Sequence, residues 1–465
     1  MTRNTSSSAT TLSLFVVNLT GRLVDVKGHE LATLLWAFFY FYCLLCSYYI
    51  IRPIRDAMGI STGIESLQSL YILTIIVMLA LVPFFGWLTS RWPRRKFLPF
   101  IYLFFIINLL IYYALFRLLP GSDLVAQSFY LWVNVYNLFV VSVFWSFMTD
   151  VFDDEQAKRM FGFIAAGGSA GAITGPLITS TLINVMAPHN LLLLSAFFLV
   201  IAIACIKRIV KADEVMDLHI LSKNTANGAS HTPAGDPVRE NKEESLSGSI
   251  WAGVALVWRS PYLLGICVIM LCYSVLSTFL YFQQVQIIAE AYSDSNSRTL
   301  VFARVDLLVN VLTILCQLFV TGRLINWLGL GVSLALVPIV LAIGLTLLGL
   351  APTLGMSMLV VVITLQVIRR TGYYAIINPA REALYVVLTR AEKYKAKNFI
   401  DTSVYRGGDV ISAWLSGMLR AAGFSVANIA LMAAPLALIW AAASLWLGRM
   451  HEQKLAAPAP SEPAA

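Results

Sequence analysis

Apolar runs of about twenty residues, separated by short polar breaks, recur along almost the whole chain. They fall at 32–52, 67–89, 97–118, 128–149, 161–186 and 190–207, and again at 262–285, 300–321, 331–351, 355–377, 403–421 and 426–447. Roughly 20 helical residues cross the hydrocarbon layer of a bilayer. The pattern therefore predicts an all-α membrane protein of about twelve transmembrane helices. One long stretch breaks it. Residues 208–250 are polar, charged and rich in Ser, Asn and Gly, the composition of a linker. The ends, MTRNTSSSATT and AAPAPSEPAA, read as disordered tails. The predicted organisation is an N-terminal tail over 1–30, a six-helix bundle over 31–207, a cytoplasmic linker over 208–250, a second bundle over 251–449, and a tail over 450–465.

Composition confirms the solvent. The chain has 465 residues, 58% hydrophobic and 12% charged, with a mean hydropathy of +0.76. A soluble domain carries about 25% charged residues, so lipid is the expected partner of this surface. The net charge of +8 is then read as topology signal rather than nucleic-acid affinity. Dense basic clusters sit at Arg91, Arg94, Arg95 and Lys96, and at Arg390, Lys393, Lys395 and Lys397. With both termini inside, and helix ends counted as inner, only Arg52, Arg55, Arg117, Arg298, Arg304, Arg406 and Arg420 fall elsewhere. That asymmetry predicts a multi-pass protein of a bacterial inner membrane with cytoplasmic termini. The apolar stretch at 14–19 is too short for a signal peptide.

No cofactor is expected. The cysteines (43, 46, 205, 267, 272, 316) lie inside apolar runs, and Cys43-x-x-Cys46 is read as two small apolar residues on one helix face. The histidines (29, 189, 219, 231, 451) form no H-x-x-x-H pair. No G-x-x-x-x-G-K-[ST] loop is present, which argues against nucleotide hydrolysis as the power source.

The halves share a local pattern. EQAKRMFGFIAAGG at 155–168 and EKYKAKNFIDTSVYRGG at 392–408 each place Glu, Ala-Lys, an apolar helix start and Gly-Gly at the entry to the fifth helix of their half. Parallel six-helix repeats of this kind resemble the plan of major-facilitator transporters. Gly167, Gly171 and Gly175 are spaced four apart on that fifth helix. They share a face on which another backbone can approach closely, for tight packing or for sliding as the halves rock. GAITGP at 171–176 resembles a helix-five element of major-facilitator antiporters. GWLTSRWPRRK at 86–96 resembles the basic loop that follows helix two in that superfamily.

Charges inside spans are costly, about 2.5–3.5 kcal/mol for a central Arg on insertion scales. They are therefore expected to face a polar cavity or a partner. Arg304, Arg369, Arg370, Arg406, Asp306 and Asp409 lie in predicted spans, and Arg52, Arg55 and Asp56 end the first. Arg406 and Asp409 are three apart and can pair on one helix; Asp56 and Asp306 are the other candidates for a coupling or charge-pair role. An arginine-rich cavity favours an anion, because the guanidinium fork matches phosphate and carboxylate.

Three strings resemble the bacterial and plastid ATP/ADP translocases. YYIIRPIRDAMG at 48–59 resembles their I-L-R-D-x-K-D segment at the end of helix one. FWSFMTDVFDDEQAKRMFGF at 144–163 resembles their F-W … E-A-K-R-F-Y stretch. NPAREALYVVLTRAEKYKAKNFIDTSVYRGG at 378–408 resembles their D-P-x-K-E-x-x-Y segment and its continuation. The resemblance implies a major-facilitator-like nucleotide exchanger that binds phosphates through basic residues. Arg55 falls where that family carries a substrate-contacting Lys, and Arg406 near its second. The family's acidic residues in helices four and seven are replaced here. Helix four offers Asn134 or Asn137, and helix seven Thr278, Tyr281, Gln283 and Gln284.

Together these readings predict a secondary transporter of a small anionic, phosphorylated or nucleotide-like solute, working as a monomer by alternating access around a midplane cavity. Arg55 and Arg406 are the expected anion ligands, with Arg52, Arg369, Arg370 or Arg304. Asn134, Asn137, Tyr281 and Tyr373 are expected to read neutral parts of the substrate. The rival classes are a membrane-embedded enzyme or flippase acting on an anionic lipid headgroup, and a non-transporting sensor. The loops carry no His/Asp/Glu cluster for the first, and the linker is too short and polar to be the second's output domain.

Overall fold

A computed structural model describes residues 30–91, 94–226, 256–389, 396–397 and 399–456, with side chains throughout except at 64, 82–91, 94–97, 154 and 213–226. Most of the expected N-terminal tail, linker positions 227–250 and tail positions 457–465 lie outside the described residues. So do Arg390, Lys393 and Lys395, and the side chains of Arg91, Arg94, Arg95 and Lys96.

The described chain is helical throughout. In the first half, α1 is Leu31–Ser61, α2 Ile64–Arg91, α3 Arg94–Leu118, α4 Asp123–Val151, α5 Asp154–Leu182 and α6 Leu191–Ala226. In the second, α7 is Pro261–Ala291. Next, α8 opens as Ser295–Cys316 and runs through a π-helical turn, Gln317–Thr321, into Gly322–Leu350. That last segment breaks at Gly329, whose φ of +74° suits a residue without a side chain. Residues before the break complete α8, and 330–350 form α9. Then α10 comprises Met358–Gly372, a π-helical turn Tyr373–Ile377, and Asn378–Leu384. A third π-helical turn, Ile400–Val404, leads into α11, Tyr405–Ala421, and α12 is Val426–Ala456.

Among the described residues, nine segments are long and apolar enough to cross a membrane, and one of them, Ser295–Leu350, holds both α8 and α9. Helix α2, apolar over Glu65–Leu81, and α11 complete the twelve. Helix α11 shows why it is less apolar. Its buried side is Gly408, Asp409, Ser412, Ala413 and Ser416, while Ile411, Trp414, Leu415 and Met418 point outward. This is an inside-out helix, with oil on its outer side and small polar groups within.

Two boundaries differ from the sequence reading. Helix α6 continues to Ala226, through residues assigned to the linker, because 208–226 contain no Pro or Gly to stop it. Helix α12 continues to Ala456 and buries His451, whose Nδ1 lies 2.9 Å from Tyr262 Oη.

The chain forms two compact units. The first is Met1–Ser61, Ile76–Val238 and Thr299–Leu307; the second is Thr62–Ile75, Arg239–Arg298 and Leu308–Ala465. The opening of α2 thus belongs to the second unit, and the opening of α8 to the first. The core of the first unit is aromatic: Phe41 stacks on Phe144 with centroids 4.1 Å apart, and Ser47 ties α1 to Tyr136 and Ser195 at 2.8 and 2.7 Å. The core of the second is more aliphatic, built on Ile266, Leu280, Leu334, Leu345 and Leu365 with Trp440.

In the first unit, α5 starts with a capping box. Asp153 accepts from the amides of Glu155 and Gln156, and Gln156 Oε1 accepts from the Asp153 amide at 3.1 Å. The glycine face of α5 lies on α1. A Cβ on Gly167 would strike the Phe38 carbonyl, one on Gly171 the Tyr42 carbonyl, and one on Gly175 the Cys46 carbonyl at 2.8 Å. Backbone this close leaves no room for a methyl group. Gly171→Ala is therefore expected to destabilise the protein by about 1–3 kcal/mol, the cost of overpacking. Gly162→Ala, whose methyl would meet nothing within 4 Å, should be neutral or slightly stabilising. Thermal unfolding of the two purified variants in detergent checks the contrast.

Candidate functional site

Both units bury arginine. In the first, α1 presents Arg55, which is 8% exposed. Its Nη1 donates to Asn134 Oδ1 of α4 at 2.7 Å, and its Nε and Nη2 donate to Asp56 Oδ1 at 3.1 and 2.6 Å. The guanidinium lies 5.4 Å from the Tyr130 ring centroid. Asn134 Nδ2 in turn donates to the Tyr130 carbonyl at 2.8 Å, which aims its oxygen at the arginine. Nearly one turn earlier, Arg52 Nη1 lies 3.6 Å from Asp306 Oδ1, contributed by the opening of α8, and 5.5 Å from the Tyr49 ring. The two arginines are thus matched by two aspartates, Asp56 and Asp306, both buried.

The second unit is organised differently. Arg369 of α10 is 5% exposed. Its Nε donates to Gln366 Oε1 at 2.8 Å and its Nη1 to Ser277 Oγ at 2.6 Å; Gln366 Nε2 donates to Gln284 Oε1 at 2.7 Å. All these partners are neutral, so none of them offsets the charge of Arg369. Arg370 beside it is also buried. Tyr273 and Tyr373 stack nearly parallel with centroids 4.1 Å apart. On α11, Asp409 is 2% exposed. Its Oδ1 accepts from Ser274 and Thr278 of α7, both at 2.7 Å, and its Oδ2 lies 3.5 Å from Arg406 Nη1. Tyr71 of α2 reaches Thr278 at 3.3 Å and packs on Tyr281 with ring centroids 6.1 Å apart.

The expected residues therefore divide into Arg52, Arg55, Asp56, Asn134 and Asp306 in one unit and Arg369, Arg370, Tyr373, Arg406, Asp409 and Tyr281 in the other. Arg304 is exposed on α8 and Asn137 is half-buried on α4; neither makes a hydrogen bond within these clusters. Sequence reasoning passed over Gln366, Ser274, Ser277 and Tyr71. Gln366 was findable, since it stands three residues before Arg369 on the same helix face. It also missed Arg381, 7% exposed and bonded to Asp401 at 3.0 Å and Glu382 at 3.2 Å, with Lys397 closing on Glu382 at 2.6 Å. Among the described residues no group of His, Cys, Asp and Glu could hold a metal ion.

The profile of the Major Facilitator Superfamily matches residues 139–394. The chain belongs to this superfamily. It is a multi-pass membrane protein and a secondary transporter by family, not an enzyme. It is 20% identical over 95% of its length to "ADP,ATP carrier protein 1" of Chlamydia trachomatis, covering 94% of that protein. It is 21% identical over 83% of its length to the protein of the same name from Chlamydia muridarum, covering 81% of it. In fold, it superposes on an auto-inhibited POT family peptide transporter with a TM-score of 0.58 at 15% identity, covering 93% of this chain and 99% of the other. It also superposes on a bacterial homologue of the iron transporter ferroportin, with a TM-score of 0.58 at 13% identity, covering 93% and 100%. The expected fold class, an all-α membrane protein of about twelve helices on the major-facilitator plan, is the observed one.

Charge matching in the first unit makes a stability test. Asp56→Asn leaves the Arg55 guanidinium buried without its carboxylate. Breaking a buried pair from one side typically costs about 3–5 kcal/mol. The purified variant is expected to unfold at a clearly lower temperature in detergent, and an unchanged transition would show that the pair adds nothing to the fold.

Proposed function

We propose that the protein moves a small phosphorylated, nucleotide-like anion across a bacterial inner membrane by alternating access, with both termini in the cytoplasm and a monomer as the working unit. The observation that carries this reading is Arg369: 5% exposed, held by neutral amide and hydroxyl groups, and in no ion pair among the described residues. A buried guanidinium whose charge is uncompensated favours an anion in its place of work. The chlamydial relatives, named as ADP,ATP carriers, and the family-like segment around Arg55 point to phosphate as the anionic group. In this reading Arg55 and Arg406 bind phosphate, with Arg52, Arg369, Arg370 and Arg304 shaping the field. Asn134, Asn137, Tyr281 and Tyr373 contact the uncharged remainder. The replacement of acidic residues in helices four and seven by amides and hydroxyls leaves room for a substrate other than ATP or ADP.

Proteoliposomes loaded and unloaded with ATP, ADP, other nucleotides, sugar phosphates and dicarboxylates test the reading by uptake and counterflow. At least one phosphorylated anion is expected to be transported and to drive counterflow. Arg55→Ala should cut uptake by at least about 30-fold, since a buried charge contact to a ligand is worth roughly 2–5 kcal/mol. A protein that transports none of the panel while remaining folded would sink the proposal, and normal transport by Arg55→Ala would make that arginine structural.

A further inference from the structure

The hydroxyl network around Asp409 points to a coupling ion. We infer that Asp409 is a proton-binding site and that one proton travels with each anion that engages Arg406. This inference rests on the reading of Arg406 as an anion ligand.

The hydrogens available to this network fix which contacts can be hydrogen bonds. Ser274 Oγ lies 2.7 Å from Asp409 Oδ1 and 2.6 Å from the Tyr405 backbone carbonyl. A serine hydroxyl has one proton to donate. With Asp409 ionised, that proton serves only one of the two acceptors, and the other short contact sets two oxygen lone pairs against each other. Both contacts become hydrogen bonds at once when a proton sits on Asp409 Oδ1. The carboxyl then donates to Ser274 Oγ, which donates to the Tyr405 carbonyl. Thr278 donates to the same Oδ1 from 2.7 Å, and Tyr71 completes the chain at 3.3 Å from Thr278. Every hydrogen in this relay has one acceptor.

The counter-charge of ionised Asp409 is Arg406. The contact to Oδ2 is long, 3.5 Å, and the Arg406 side chain is 34% exposed where Asp409 is 2%. Among the described residues, Arg406 is the ion-pair partner of this carboxylate. The one charged residue of α7 is Glu290, exposed near its far end, and the second-unit part of α2 has only Glu65, exposed in its first turn. Arg420 lies three turns further along α11, Asp401 in the turn before α11 is bonded to Arg381, and the phenols of Tyr71 and Tyr405 stand beside the network among the described residues. An anion that draws Arg406 away therefore strands a carboxylate in a buried site, which is strongly unfavourable. The relay supplies the alternative: a proton from the adjoining aqueous phase binds Oδ1 as the anion binds Arg406. When the anion leaves, Arg406 returns to Asp409 and the proton goes to water on that side. Anion and proton move in the same direction.

The test uses the full-length protein in proteoliposomes with ADP and ATP as probes, and a pH-indicator dye with the purified protein in weakly buffered detergent. Wild type is expected to accumulate the transported nucleotide several-fold over the no-gradient control when the substrate side is acidic. It should also take up protons from solution on binding that nucleotide. Asp409→Asn should lose the gradient response, read relative to its own counterflow at equal pH. Ser274→Ala, which removes the acceptor of the bound proton, should keep the response but move the pH profile of uptake toward acid. If Asp409→Asn fails to fold, Ser274→Ala and the wild-type dye measurement decide. Normal wild-type counterflow with no gradient response and no proton uptake overturns this inference and leaves the proposed function standing, as does an Asp409→Asn protein that still responds to the gradient. No transport of any anion overturns both.

Discussion

A guanidinium taken out of water into a helical bundle loses hydration that only oxygen atoms or an anion can replace. Much of the polar architecture of both units answers that demand, in two different ways. In the first unit the answer is a carboxylate for each arginine, Asp56 for Arg55 and Asp306 for Arg52. Neighbouring aromatic rings, Tyr130 and Tyr49, cover the guanidinium faces. In the second unit Arg369 is met by Gln366 and Ser277, which satisfy its donors without cancelling its charge. A hydrogen bond from a neutral partner restores geometry but not neutrality. In the second unit, Arg369 thus carries a positive charge that no ion pair among the described residues offsets, where solvent does not screen it.

Close helix approach is what brings these groups together. Glycines let α5 press on α1 in the first unit. In the second, a Cβ on Gly408 would lie 2.8 Å from Ser274 Cβ, so α11 can press on α7. The tight packing that suits a membrane bundle is also what puts Asp409 within reach of Ser274 and Thr278. The π-helical turns sit at the same places: Tyr373 stands in the turn that interrupts α10, and Arg406 two residues after the turn that leads into α11. Such turns rotate the helix face that follows them and are frequent where side chains must be aimed.

The fold was largely legible in the sequence because lipid imposes one rule on every span. About twenty apolar residues and an internally bonded backbone are enough to mark a helix. What escaped was set by other physics. The extension of α6 to Ala226 was hidden because polarity suggests a linker, while helix continuation depends on the absence of Gly and Pro. Arg381 was missed because it lies past the predicted span over 355–377, but charged residues within or ending the spans announced themselves by the cost of burying them, so Arg55, Arg369 and Asp409 were singled out. Their neutral partners, Gln366, Ser274 and Ser277, were not, since a single Ser or Gln in a span is inexpensive and common. The division of charges between two units was also invisible, because it depends on where the openings of α2 and α8 pack.

The internal repeat sharpens the case of Asp409. In α5 the Gly-Gly pair, Gly167 and Gly168, is followed by Ser169, whose hydroxyl turns back to the Ala165 carbonyl at 3.4 Å. In α11 the matching pair, Gly407 and Gly408, is followed by Asp409. The matching positions therefore carry a half-buried, self-satisfied hydroxyl in one half and a buried carboxylate in the other. Serine shows that the fold does not require a charge at this position. Stability does not favour one either, because a buried ion pair rarely outperforms an uncharged residue of fitting shape. A carboxylate that is costly to bury, held at 3.5 Å from a partly exposed arginine and ringed by hydroxyls that can count its proton, is better accounted for by a change of state than by the architecture of the bundle.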